Sequence, residues 1–282
     1  MIAVFGGLGA ASVFAIATLS ASRGTRMIGP RSFLAGVMLV GLVATLPAVA
    51  ARSVPDINGV DASWLVLSGC GNVAGLLCAY AALRLGKVGI VAPIVSTEGA
   101  IAAVLAVVAG EGISPGAGAT LGVIACGILL SGVTRDADQV PADPGGLRAL
   151  AFAIAAALAF GASLYATARV GASLPTAWAV LPARAVGVAA VTLPLAVTRR
   201  LTITRQALPF VVLSGLCEAA GFALFTVASR HGIAVSAVLA SQFAAIAAVA
   251  AYLLFGERLA RVQLAGVASI VVGVAILSAL QV

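Results

Sequence analysis

The chain has 282 residues, of which 62% are hydrophobic and only 9% charged, and its mean hydropathy is +1.18, a balance outside the range of soluble globular domains. Its formal charge of +7 forms no patch interleaved with aromatics, because the basic residues are scattered over short polar breaks, so nucleic-acid binding is set aside. The composition describes an all-α integral membrane protein, and its 32 glycines suit helices whose backbones approach closely where lipid offers no drive for association.

Taken in chain order, the first apolar run, residues 2–20, ends in Ser20, Ala21 and Ser22, which resembles a signal-peptide cleavage site. No basic residue precedes it and further spans follow, so it reads as a transmembrane helix. Runs over 32–51, 62–83, 88–109 and 116–134 come next, each near the ~20 residues that cross a ~30 Å hydrocarbon core. Turn chemistry separates them, as at Gly29 and Pro30, Pro55 to Gly59, and Ser114 to Gly116. The longest polar stretch, 135–148, holds Asp136, Asp138, Pro141, Asp143 and Pro144 and reads as a linker. Beyond it lie runs over 149–168, 176–198, 206–229, 233–255 and 262–280. Trp64 and Trp178 stand at helix starts, where an amphipathic ring favours the headgroup zone. The expected organisation is ten spans, five in residues 1–134 and five in residues 149–282.

The two sets are copies. Ser68 to Gly75 recurs as Ser214 to Gly221 at a shift of 146, which also carries Arg84 and Gly86 onto Arg230 and Gly232, and Gly110 and Glu111 onto Gly256 and Glu257. Five is an odd number, so the second copy enters the membrane inverted relative to the first, an arrangement shared by many secondary transporters. Loop charges agree with inversion. Arg23, Arg26, Arg31, Arg84, Lys87, Arg135, Arg148, Arg199, Arg200, Arg205, Arg258 and Arg261 follow odd-numbered spans, whereas only Arg52, Arg169 and Arg230 follow even-numbered ones. Basic loops stay on the cytoplasmic side, so this bias places both termini outside.

The run Tyr80, Arg84, Gly86, Lys87, Pro93, leading through an apolar span to Gly110 and Glu111 and echoed by Arg230, Gly232, Gly256, Glu257, Arg258 and Leu259, resembles the EamA-type domain of the drug/metabolite transporter superfamily, in tandem. The resemblance implies a ten-helix inverted-repeat permease that exports amino acids, metabolites or drugs through a central cavity lined by both halves. It also implies cytoplasmic termini, opposite to the loop charges.

Ionisable groups at membrane depth are costly and mark candidate sites. Three occur: Glu98 in the fourth span, Arg184 in the seventh and Glu218 in the eighth. A carboxyl in a dehydrated cavity can take up and release a proton as access alternates; the structural reading is that either carboxyl pairs with Arg184. Glu218 maps onto Asn72 at the shift of 146, so the expectation is that the two face each other across a pseudo-two-fold axis and line the cavity. Ser96, Ser241 and Gln242 can bond a ligand or a neighbouring helix. Pro93 frees a backbone carbonyl or simply kinks its helix. Tyr80 stacks on a substrate or packs.

Glu111 and Glu257, with Gly110 and Gly256, end the fourth and ninth spans. A carboxylate there opposes the helix dipole, so each requires a partner such as a loop arginine or a helix start. The four cysteines lie inside apolar runs and read as small buried hydrophobes. Neither a metal-ligand spacing nor a nucleophile and base set is present, so no cofactor, no metal and no enzymatic activity are expected. The expected function is secondary transport of small organic metabolites, amino acids or drugs across the cytoplasmic membrane by a monomer, with protons as a further ligand through Glu218 or Glu98. A flippase for lipid-linked substrates and a non-transporting scaffold or sensor are the alternatives.

Overall fold

A computed structural model describes residues 1–86, 88–131 and 144–247, together with isolated positions beyond 247. Helices and their connections make up the described residues, as they must in lipid, where a helix satisfies its own backbone. They are α1 (Ile2–Ile28), α2 (Pro30–Ala50), α3 (Gly59–Leu85), α4 (Val88–Val95), α5 (Glu98–Val108), α6 (Pro115–Ser131), α7 (Pro144–Ser173), α8 (Thr176–Gly187), α9 (Leu193–Val197), α10 (Leu208–Ser229) and α11 (Ile233–Ala240). A π-helical turn, Val188–Thr192, joins α8 to α9.

Among the described residues, seven segments are long and apolar enough to cross a membrane, and the apolar helices Pro115–Gly127 and Ile233–Ala247 are shorter. Of the tenth expected span, 262–280, only isolated helical positions are described, and most of the linker, with Gly256 and Glu257, lies outside the described residues.

Local chemistry sets the ends. Gly29 adopts φ +80 between α1 and α2, a conformation that favours glycine, and Pro30 opens α2 where its missing N–H costs nothing. The Asn58 side chain accepts from the Asp61 backbone N–H at 2.8 Å to cap α3.

The shift of 146 relates contacts as well as residues. The two most extensive helix pairings are α3 with α7 and α1 with α10; exchanging each helix for its repeat counterpart turns one into the other. The match extends to single side chains. A Cβ on Gly75 would strike the Phe160 ring, and one on Gly221 would strike the Phe14 ring; Phe14 and Phe160 are themselves 146 apart. Likewise Gly187 packs on Met38 and Gly41 on Arg184. Ser163 Oγ donates to the Ser68 carbonyl at 2.8 Å, and at the equivalent crossing Ser214 Oγ donates to the Ala17 carbonyl at 2.9 Å.

Two sequence expectations change. The fourth span is not one helix but α4 and α5, broken at Ser96 and Thr97, and the ninth is broken at Ser241 and Gln242 before helix resumes over 243–247. Cys70 and Cys126 are exposed on the outside of the bundle and only Cys78 and Cys217 are partly covered. The lipid-facing surface is as apolar as the interior, so position within an apolar run does not separate the two.

Candidate functional site

The two helix breaks meet. Gly99, in the first turn of α5, lies so close to the Ser241 hydroxyl and the Ala237 carbonyl that no side chain fits between them. At the first break Pro93 removes a helical N–H, Ser96 Oγ donates to the Pro93 carbonyl at 2.9 Å and Thr97 Oγ1 to the Ile94 carbonyl at 2.7 Å. At the second, Ser241 Oγ donates to the Val238 carbonyl at 2.9 Å. These hydroxyls take the place of the helical N–H groups that turn away, which lets a helix be interrupted inside the bundle. Ser96, Ser241 and Gln242 are all nearly inaccessible, and Gln242 Nε2 has no partner.

Beside these breaks lies a cavity of about 50 Å³ between α1, α3, α4, α5, α7 and α10, room for a few waters. Glu98 and Glu218 both line it, from α5 and α10. They are 6% and 8% exposed, and neither carboxyl has a hydrogen-bond partner among the described residues. Tyr80 lines the same space, and its buried hydroxyl is also unpartnered. Its ring meets Phe33 edge-on, with centroids 5.3 Å apart.

Around these polar groups stand Phe14, Phe160, Phe222 and Phe243, with Phe14 and Phe222 edge-to-face at 5.6 Å. Sequence reasoning did not single out these rings, although the spacing of Phe14 and Phe160 by the repeat shift was a signal for one pair of them.

Arg184 sits behind Glu218 and does not line the cavity. It is wholly buried, with Nη2 donating to the Glu218 backbone carbonyl at 3.1 Å, its guanidinium 5.4 Å from the Phe222 ring centroid, and Nη1 3.9 Å from Met38 Sδ. The arginine therefore grips the backbone that carries Glu218 and leaves the carboxyl to the cavity. Asn72 is 0% exposed with both amide atoms unpartnered, and it is not among the residues lining the cavity.

Buried polar groups between two mutually packed sets of apolar helices, with two helices interrupted where they meet, resemble the discontinuous helices around the sites of many secondary transporters. Residues 1–133 match the EamA-like transporter family. A crystal structure described only as that of a protein resembles the chain with a TM-score of 0.76 at 18% identity, covering 99% of this chain and 96% of that one. The fold therefore extends beyond the EamA-like half to the full length. A comparison with curated proteins found no match.

The Gly-Glu end of the EamA-like half has a defined role. Gly110 adopts φ +99, which turns Glu111 away from its own helix. The carboxylate accepts from the Ala234 backbone N–H at 3.2 Å and 3.3 Å, capping the start of α11. The opposing dipole of its own helix is thus offset by the positive end of another, and Gly232 at φ +137 completes the turn that presents that N–H. Glu257, its counterpart, lies outside the described residues.

A larger recess of about 610 Å³ lies between α2, α8 and α10 at the end carrying Arg52 and Arg230. Ala219 and Ala223 of α10 face this recess, while Glu218 and Phe222 of the same helix face the central cavity. One helix thickness therefore separates the two spaces.

Proposed function

We propose that the chain is a secondary active transporter, an exporter of small organic solutes across the cytoplasmic membrane. It works by rocking two inverted five-helix halves, residues 1–134 and 149–282, about the cavity that holds Glu98 and Glu218. The observation that carries this reading is the pair of broken helices meeting at Gly99 and Ser241 beside two buried carboxyls that line one cavity. A carboxyl buried at membrane depth destabilises the fold unless something binds it there, and a transported solute or proton is such a partner.

Proton coupling follows from the same geometry. Among the described residues the titratable or charged groups around the cavity are Glu98, Glu218 and Tyr80, with Arg184 behind Glu218, and the other lining residues are apolar apart from Thr18. Either carboxyl can exchange a proton for solute as access alternates. No cofactor and no second copy of the chain enters this scheme.

The test is flux in proteoliposomes under an imposed proton gradient, comparing wild type with Glu218→Gln and Glu98→Gln. Gradient-driven flux in the wild type that is lost in at least one variant supports the reading. Equal flux and equal dependence on pH in all three proteins removes the proton role, and no flux of any solute removes the transport role.

A further inference from the structure

The chemistry of the cavity wall selects among solute classes. Glu98, Glu218 and Tyr80 offer oxygen atoms to a ligand, and among the described residues no lysine, arginine or histidine lines the space. Arg184 is the buried cation among the described residues; its Nη2 donates to the Glu218 carbonyl, its Nη1 touches Met38 Sδ and its Nε makes no hydrogen bond among them, but it stands behind Glu218 and outside the cavity lining. An anionic solute would meet two carboxyls without a counter-charge. A zwitterion would find a place for its ammonium group but none for its carboxylate.

The rings point the same way. Four phenyl groups, Phe14, Phe160, Phe222 and Phe243, surround the two carboxyls, and the face of an aromatic ring attracts a cation, most strongly when water is excluded. Arg184 already sits over Phe222 from behind. When both carboxyls are ionised, they and the Arg184 guanidinium sum to a single negative charge, which one monovalent cation neutralises.

Resting on the transport reading above, we infer that the central cavity is a cation site whose solute is a small monovalent organic ammonium ion, held by Glu98 and Glu218 inside a phenylalanine cage. The cavity volume of about 50 Å³ suits an ammonium group with short substituents. Tyr80 accepts from an N–H of a primary or secondary amine, while a quaternary ion uses only the carboxyls and rings.

Three probes of similar size separate the classes: tetramethylammonium, alanine and methanesulfonate. Each is titrated calorimetrically into the full-length protein in detergent, and its flux is followed in proteoliposomes. The expected result is saturable binding and flux of tetramethylammonium, neither for methanesulfonate, and weaker or no binding of alanine. Glu98→Gln and Glu218→Gln each weaken tetramethylammonium binding by about tenfold, the loss of one charge-assisted contact.

Binding of tetramethylammonium without flux of any probe keeps the cation site and overturns the transport reading. Flux of alanine or methanesulfonate with neither binding nor flux of tetramethylammonium overturns the cation site and leaves transport standing. Absence of both overturns both. Wild-type selectivity decides the outcome even if a variant fails to fold, and tetramethylammonium binding unchanged in two folded variants overturns the assignment to the carboxyls.

Discussion

Arg184 and Met38 are 146 residues apart in sequence, the repeat shift, and their side chains touch, with Nη1 3.9 Å from Sδ. In the proposed inverted repeat, residues related by the two-fold can meet only where its axis passes, so this contact is where the proposal puts the axis. The arginine breaks the symmetry there, holding the Glu218 backbone carbonyl on one side only.

That relationship predicts the behaviour of Arg184→Met, which makes the axial pair symmetric. Removing the buried cation alone leaves the buried Glu98 and Glu218 carboxyls without it, the costly case of about 3–5 kcal/mol, whereas removing charge on both sides is often neutral or stabilising. The expected outcome is a melting temperature in detergent below wild type for Arg184→Met, recovered in the double variant Arg184→Met, Glu218→Gln. Flux falls by about tenfold because the α10 segment that carries Glu218 is no longer held. A double variant no more stable than Arg184→Met would show that the arginine stabilises by packing rather than by charge.

The glycine pair Gly75 and Gly221 predicts matched costs. Added methyl groups would collide with Phe160 and Phe14 respectively, so Gly75→Ala and Gly221→Ala should each destabilise by about 1–3 kcal/mol, the range for overpacked cores. Gly122→Ala on α6, where nothing among the described residues lies within 4 Å, should be neutral or stabilising by about 1 kcal/mol through helix propensity. Thermal melts of the three variants check the order.

Glu111 predicts a graded series. Removing the cap in Glu111→Ala should cost about 1 kcal/mol, whereas Glu111→Gln keeps an acceptor for the Ala234 N–H and loses only the charge that complements the dipole, about 0.5 kcal/mol. Hydrogen exchange at the start of α11 should rise in the same order. Equal protection in all three proteins would detach Glu111 from this role.

The shared cavity predicts competition. If cation and proton use Glu98 and Glu218 in turn, tetramethylammonium affinity increases as pH rises from about 6 to 8 and protons leave the site. Methanesulfonate shows no such trend, and the double variant Glu98→Gln, Glu218→Gln shows a flat profile. An affinity that falls with rising pH would reverse the assignment.

Much of the site was legible from depth alone. Glu98, Arg184 and Glu218 stood out because charge within an apolar run is costly, and Glu111 because a carboxylate at a helix C-terminus requires a partner. The identity of that partner was not legible, since the N–H of Ala234 lies 123 residues away and nothing local to Glu111 encodes it. Asn72 and Glu218 share a register position, yet Glu218 lines the cavity and Asn72 does not, because side-chain packing need not copy the repeat.

By itself the sequence determined the solvent, the succession of apolar spans, the internal repeat and the few residues that carry charge at depth. These follow from hydropathy and spacing, which act along the chain. The tertiary structure decided which faces turn inward, where the fourth and ninth spans break, and that Phe14, Phe160, Phe222 and Phe243 surround the carboxyls. In lipid the outer and inner surfaces of a helix are both apolar, so hydropathy reports depth but not direction. Only contacts such as Gly99 against Ser241 select the face and the break.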